Sequence, residues 1–331
     1  MEELSMAISA SQVLALVESH AEGDDHRFYT TVLQMAAKEA RAGHNKIAQD
    51  LSDKVKKYQF KKKVHTNRYE QGLSTDKDLQ GLIELYLPHH RMSELFLNNQ
   101  TKTRLNLIIK EHRQKDNLKK YELSPRKKLL FVGPPGTGKT LSASVLASEL
   151  RLPLYKIVLE SVISKYMGDT ATHLKTIFNF INHNHGVYLF DEFDAIGSNR
   201  TAKNDVGESR RILNSFLILL EQLQSESIVV AATNHPQLLD SALNRRFDDI
   251  ISFELPTFDE VKSYLENRIS IFPDTKLDWK TVVGFTSNLS LGDIEKAFDD
   301  GAKDAIFNNQ GIITTEYICN SLRRRKENKM E

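Results

Sequence analysis

From residue 125 to 255, short apolar runs alternate with stretches whose apolar residues recur every three or four positions. Leu129-Leu130-Phe131-Val132, Val187-Tyr188-Leu189-Phe190 and Ile228-Val229-Val230-Ala231-Ala232 are continuous runs bounded by Gly, Asp or Thr, the signature of strands buried on both faces. Strands are predicted over 129–133, 154–159, 186–190, 228–232 and 249–253, with helices over 139–150, 170–182, 207–222 and 238–242. Alternation of this kind builds an α/β domain around a largely parallel sheet. Past Pro256 the strand pattern stops, and 257–269, 278–285, 291–307 and 314–326 read as an all-α cap. Residues 1–60 carry helical spacing alone (Leu14 and Val17; Phe28, Val32 and Met35; Ile47, Leu51 and Val55), broken at Gly23 and Gly43, and read as a three-helix bundle. Residues 61–78, which open on Lys61-Lys62-Lys63, lack an apolar period and read as a linker. Helical spacing returns over 79–121 at Leu79, Leu82, Leu85, Leu105 and Ile108. The expected domains are therefore 1–60, an α/β domain over 79–256 and a helical cap over 257–331.

Composition narrows the class of function. The 331 residues hold 45 basic and 44 acidic side chains, so no overall charge favours nucleic acid. Cys319 is the single cysteine, which excludes an intrachain disulfide and fits a reducing compartment. No run of 18 apolar residues marks a membrane span, and the acidic Met1-Glu2-Glu3 start lacks the basic region of a signal peptide. A soluble, cytoplasmic protein is expected. Arg323-Arg324-Arg325-Lys326 is placed in the last turn of a helix, where cations complement the helix dipole.

The chemistry is carried by Gly133-Pro134-Pro135-Gly136-Thr137-Gly138-Lys139-Thr140, between a predicted strand and a predicted helix. That is the context of a phosphate-binding loop: glycines turn the backbone so that successive N–H groups face phosphate oxygens, and the following helix presents its positive end. Pro135, Gly136, Thr137, Gly138, Lys139, Thr140 and Leu141 are the candidate nucleotide contacts. Lys139 reaches the β- and γ-phosphates, and the Thr140 hydroxyl suits Mg2+. A second strand ends in Asp191-Glu192. Asp191 would complete the metal site with Thr140, and Glu192 is placed to orient or deprotonate a water. This second carboxylate turns nucleotide binding into expected ATP hydrolysis. Asp194 is open between a structural and a supporting role. Asn234, at the end of the strand 228–232, is a candidate contact for the γ-phosphate or the attacking water. Arg245 and Arg246 precede the last strand at the domain's edge, away from their own loop, and are candidate donors to a neighbouring subunit's nucleotide.

Taken in order, Walker A (133–140), Walker B (187–192), Asn234 and the arginine segment (240–248) resemble the AAA family of ATPases within the AAA-plus group, over about 125–310. The resemblance implies a five-stranded parallel sheet, a four-helix lid, ATP and Mg2+ as cofactors, and a hexameric ring that remodels or unfolds protein. It also implies a first pore loop at Tyr166, Met167 and Gly168, a second over 198–207, and a nucleotide contact at Gly292 within Ser290-Leu291-Gly292-Asp293-Ile294. The arginine segment departs from the family pattern, because Arg245 and Arg246 are adjacent rather than spaced. The layout is similar to bacterial ATPases encoded beside a subtilisin-like serine protease, which makes such a protease a candidate partner. The alternative is a nucleotide-dependent switch or assembly factor that binds its partner without threading it. DNA-directed work is disfavoured by the balanced charge.

Overall fold

The computed structural model describes residues 13–14, 16–17, 19, 25–41, 43–55, 77–163, 167–196, 205–235, 243, 245–270, 272 and 277–330. The chain divides into two units, Met1–Thr75 and Asp76–Glu331. In the first, helix α1 (Asp25–Arg41) precedes a second helix, α2 (45–55). The turn between them is a Schellman motif. Gly43 N–H donates to Ala40 O at 3.1 Å and His44 N–H to Glu39 O at 3.0 Å, which satisfies the last carbonyls of α1. Gly43 sits at φ 86°, a left-handed conformation that a Cβ would oppose. Met35, Ala36 and Val55 of the predicted apolar face are buried, and so is Ala48. Leu14 and Val17 are helical and exposed. Gly23 and most of the predicted linker lie outside the described residues.

The second unit is organised by a six-stranded sheet in the order β1-β3-β4-β5-β2-β6. The strands are β1 (Ile83–Tyr86), β2 (Lys128–Val132), β3 (Leu154–Ile157), β4 (Val187–Phe190), β5 (Ile228–Thr233) and β6 (Asp249–Ser252). Strands β2 to β6 are mutually parallel and correspond to the five predicted strands. Strand β1 adds an antiparallel edge on β3, with Ile83 opposite Ile157. That corrects the helical reading of Leu79, Leu82 and Leu85. The strand is only four residues long, too short for a period of two to be told from 3.6, and pairing with β3 decides its form. Helix α3 (Asn99–Arg113) does follow, with Leu105, Ile108 and Ile109 buried.

Both faces of the sheet are covered, which is why its central strands are continuously apolar. On one face Leu129, Phe131, Leu189, Val230 and Ile251 pack with Val145 and Leu146 of α4 (Lys139–Leu150) and with the buried side of α3. The other face is aromatic. Tyr155 stacks on Tyr188 at 4.8 Å, and Phe216 of α6 (Asp205–Glu221) meets Phe190 edge-on at 5.1 Å. Phe178 of α5 (Met167–His183) adds a second edge contact to Phe216 at 5.5 Å.

The lid consists of α7 (Phe258–Ile269), α8 (Trp279–Gly284), α9 (Leu291–Asn308) and α10 (Thr315–Met330), each close to its predicted span. Val261, Leu265, Ile294, Phe298, Ile318 and Leu322 form its core. The helix α10 runs four residues further than predicted, so the basic run lies inside it and not in its last turn. Its cations face the lid instead: Arg324 lies 3.6 Å from Asp304 and Arg325 3.7 Å from Asp293, while Lys326 donates to Ser287 Oγ at 2.9 Å.

The start of β6 is fixed by charge. Asp249 is buried and paired with Arg104 of α3 through Oδ1, and Oδ2 accepts from Arg126 at 2.7 Å. Arg126 in turn pairs with Glu111 of α3 at 2.5 Å. Removing one partner of a buried pair costs about 3–5 kcal/mol, and the partial exposure of both arginines reduces that figure. Asp249→Asn is therefore expected to lower unfolding stability by about 2 kcal/mol. Urea titration of the full chain checks this: the midpoint should fall at unchanged slope, and an unmoved midpoint would contradict the assignment.

Candidate nucleotide site

The loop 133–138 leaves the carboxyl end of β2 and runs into α4. Gly136 and Gly138 adopt φ 74° and 95°, which allows the tight turn. Gly133 is required for a different reason: a Cβ there would lie 2.1 Å from the Phe253 carbonyl oxygen. Thr137 closes the loop by donating its hydroxyl to Pro134 O at 2.8 Å.

Lys139, in the first turn of α4, is only 6% exposed. Its ammonium donates to Gly133 O at 2.7 Å, Pro134 O at 2.8 Å and Asn234 Oδ1 at 2.8 Å. Burial lowers its pKa, and the carboxylates of Asp191 and Asp194 oppose that shift. Thr140 donates its hydroxyl to Asp191 Oδ2 at 2.9 Å, while Asp191 Oδ1 accepts the Glu192 N–H at 3.1 Å. Glu192 takes a left-handed φ of 50°, uncommon for a non-glycine residue, and its carbonyl accepts from Ala195 N at 2.8 Å. The sharp turn leaves the Glu192 side chain exposed in the same cavity as Lys139.

Asp194 resolves as a support for the end of β5. It accepts from the Thr233 hydroxyl at 3.0 Å and from Asn234 N at 3.3 Å, and lies 3.7 Å from His235 Nε2. These bonds hold Asn234 over Lys139.

The cavity, about 430 Å³, brings together Pro135, Gly136, Thr137, Gly138, Lys139, Thr140, Leu141, Asp191, Glu192, Asn234 and Gly292. Gly292 N–H donates to Gly136 O at 3.1 Å, so the lid is hydrogen-bonded to the phosphate loop itself. Ser290 caps α9 in a reciprocal box with Asp293. Sequence reasoning missed the remaining wall: Leu95, Phe96 and Leu97 between β1 and α3, with Tyr264 and Glu295 of the lid. Phe96 meets Tyr264 edge-on at 5.0 Å. The signal was the isolated apolar triplet Leu95-Phe96-Leu97, which the helical reading of 79–121 absorbed.

Arg245 and Arg246 are not among the cavity's lining residues. They precede β6, at the amino end of the sheet, whereas the phosphate loop follows β2 at the carboxyl end. The two strands are neighbours, so it is the opposite end of the sheet that separates the arginines from their own loop. Arg245 is exposed, and Arg246 pairs with Glu221 at 3.1 Å. Asp248 anchors the segment by accepting from the N–H groups of Lys127 at 2.8 Å and Lys128 at 2.9 Å. Tyr166 lies outside the described residues, as do 198–204 of the expected second pore loop. Met167 and Gly168 open α5.

A glycine loop after a central parallel strand, a buried lysine and two carboxylates at the end of β4, one strand removed from β2, define a P-loop nucleotide-binding domain. Residues 129–255 match the family described as "ATPase family associated with various cellular activities (AAA)". The chain is 36% identical over 191 residues to an uncharacterized AAA family ATPase of Sinorhizobium fredii, covering 58% of each protein. It is 31% identical over 241 residues to a putative 26S proteasome regulatory subunit homolog of Methanothermobacter thermautotrophicus, covering 71% of this chain and 64% of that one. The chain thus spans roughly three fifths of the length of these curated relatives. The FIGL-1 AAA domain crystallised with ADP shares the fold, with a TM-score of 0.59 at 22% identity over 77% of this chain and 89% of that one. Residues 129–255 therefore form an AAA ATPase domain.

Gly136 carries both the left-handed turn and the lid contact, since a Cβ there would lie 2.4 Å from Ser290 Oγ. Gly136→Ala is expected to cost about 1–3 kcal/mol in the formed site. Titration with a fluorescent ADP analogue should show affinity weakened tenfold or more, and wild-type affinity would rule out this coupling.

Proposed function

We propose that the chain is a Mg2+-dependent ATPase that works as a homo-oligomeric ring, a hexamer, to remodel, unfold or translocate protein substrates. One observation carries the reading: Lys139, the Thr140–Asp191 pair, Glu192 and Asn234 share one cavity, while Arg245 and Arg246 sit at the sheet's other end. A nucleotide bound there lacks arginine donors from its own chain's segment and gains them from a neighbour.

ATP enters with its phosphates along the loop's N–H groups. The Lys139 ammonium exchanges its loop carbonyl partners for β- and γ-phosphate oxygens. Thr140 and Asp191 offer hard oxygen ligands already 2.9 Å apart, a donor set that suits Mg2+ with water completing the shell. The bound ion would neutralise phosphate charge. Glu192 accepts a proton from the attacking water, and Asn234, held by Asp194, fixes the water or the γ-phosphate. ADP and phosphate leave, and the Gly292–Gly136 bond passes the change at the loop to the lid. A neighbour's Arg245 or Arg246 would meet the charge that builds on the equatorial oxygens.

Protein as the substrate is supported by the proteasome-subunit description of the Methanothermobacter relative and by the Tyr166-Met167-Gly168 segment. An aromatic side chain beside a glycine offers a large, sequence-tolerant grip on an extended chain. A subtilisin-like serine protease is the candidate partner to receive what the ring unfolds.

Glu192→Gln should retain ATP binding while turnover falls about 10²–10⁴-fold. Filter-bound ATP together with phosphate release measures both, and undiminished turnover would assign the proton to another group. Rings mixed from Glu192→Gln subunits and Arg245→Ala/Arg246→Ala subunits should regain partial ATPase activity that neither parent has. No rescue at any ratio would reject donation across subunits. Tyr166→Ala should keep hydrolysis and lose unfolding of a tagged substrate, whereas intact unfolding would favour a switch that does not thread its partner.

A further inference from the structure

The chain has a second cavity, about 340 Å³, at the end of the sheet away from the phosphate loop. Its lining residues come just before the strands: Lys127 before β2, Leu152 before β3, His185 before β4 and Glu226 before β5. Lys115 and Lys119 close one side from the short helix that follows α3. Leu150, Leu152 and Pro125 give it an apolar wall.

The charges in this cavity are unbalanced. Three lysines line it against the single carboxylate of Glu226. Glu226 is held at both oxygens, with Lys115 Nζ donating to Oε2 at 2.7 Å and Lys119 Nζ to Oε1 at 2.8 Å. The two ammoniums lower its pKa to about 2, so it stays ionised throughout the physiological range. Lys127 spends one hydrogen bond on Ser225 O at 2.8 Å. An ammonium has three donors, so each lysine keeps capacity for another anion oxygen. The carbonyl ends of α4 and α5 open toward this end of the sheet and add partial negative charge, but fewer charges than the lysines supply.

The lysine pair therefore already grips a two-oxygen anion supplied by the chain itself. We propose that this cavity is a second ligand site, distinct from the nucleotide site, for a small-molecule phosphomonoester. The phosphate would be held by Lys115, Lys119 and Lys127, and the organic part would rest on Leu150, Leu152 and Pro125. A dianion with three free oxygens matches three ammoniums better than a monoanionic carboxylate does. Glu226 acts as an internal competitor that the ligand displaces. With Glu226 exposed on a surface connection, its release from the lysines costs the fold little.

Phenyl phosphate is a suitable probe, titrated calorimetrically into the full chain with the phosphate loop saturated by ADP. Saturable one-to-one binding is expected. Lys115→Ala/Lys119→Ala should weaken it about tenfold or more, and Glu226→Gln should tighten it severalfold by removing the competitor. Raising ADP further should leave it unchanged. The proposal is overturned by non-saturable binding, by weaker binding in Glu226→Gln, or by competition with ADP, which would place the probe in the phosphate loop. Tighter, salt-sensitive binding of a DNA oligonucleotide to the same lysines would also overturn it, in favour of a nucleic-acid surface. None of these outcomes depends on ATP hydrolysis.

Discussion

The nucleotide site depends on what it takes to bury one ammonium. Lys139 is almost fully removed from water, and a buried charge is tolerable only if its hydrogen-bonding capacity is used. All three donors are used, and the third partner, Asn234 Oδ1, stands 95 residues further along the chain. It arrives because β5 lies beside β2, with Val132 opposite Thr233. Asp194 then fixes Asn234 by accepting from both the Thr233 hydroxyl and the Asn234 N–H. Strand order, the end of β5 and the lysine's position are thus one constraint. A phosphate that draws Lys139 away from its carbonyls necessarily disturbs the same group of bonds that aligns the polar end of β5.

A second line of coupling leaves the loop in the other direction. Gly136 lends its carbonyl to Gly292 N–H and has no side chain to collide with Ser290. Both lid residues belong to the capped start of α9, which packs Ile294, Ala297 and Phe298 into the lid core. A shift of the loop therefore acts on the end of a rigid, capped helix, and a packed core moves as a body more readily than it deforms. Phosphate chemistry and lid position are linked through one backbone hydrogen bond and one close approach, with no long side chain between them to absorb the motion.

What the sequence disclosed follows from how local each feature is. The strands β2, β4 and β5 announce themselves because they are buried on both faces, so every residue must be apolar. The phosphate loop is equally plain, since turn geometry, lysine and hydroxyl all fall within eight consecutive positions. Strand β1 was hidden because its form is set by β3, more than sixty residues away, and four residues are too few to display a period. The wall at Leu95-Phe96-Leu97 was hidden for the same reason: nothing local distinguishes residues that face a ligand from residues that face a core. Asp194 could be placed near the site but its task could not be read, because its partners, Thr233 and Asn234, follow some 40 residues later.

The arginine segment lies away from its own phosphate loop, though not because of strand order. Its position on an edge strand suggested distance from the phosphate loop, yet β6 pairs directly with β2. The separation comes from direction. Parallel strands put everything that follows them at one end and everything that precedes them at the other, and Arg245 and Arg246 precede. Asp248, bonded to the N–H groups of Lys127 and Lys128, and Asp249, clamped by Arg104 and Arg126, tie that segment to the amino end of β2 itself. The strand that carries the phosphate loop at one end therefore anchors the arginines at its other end. Any tilt of β2 is thus carried to the arginines of the same subunit.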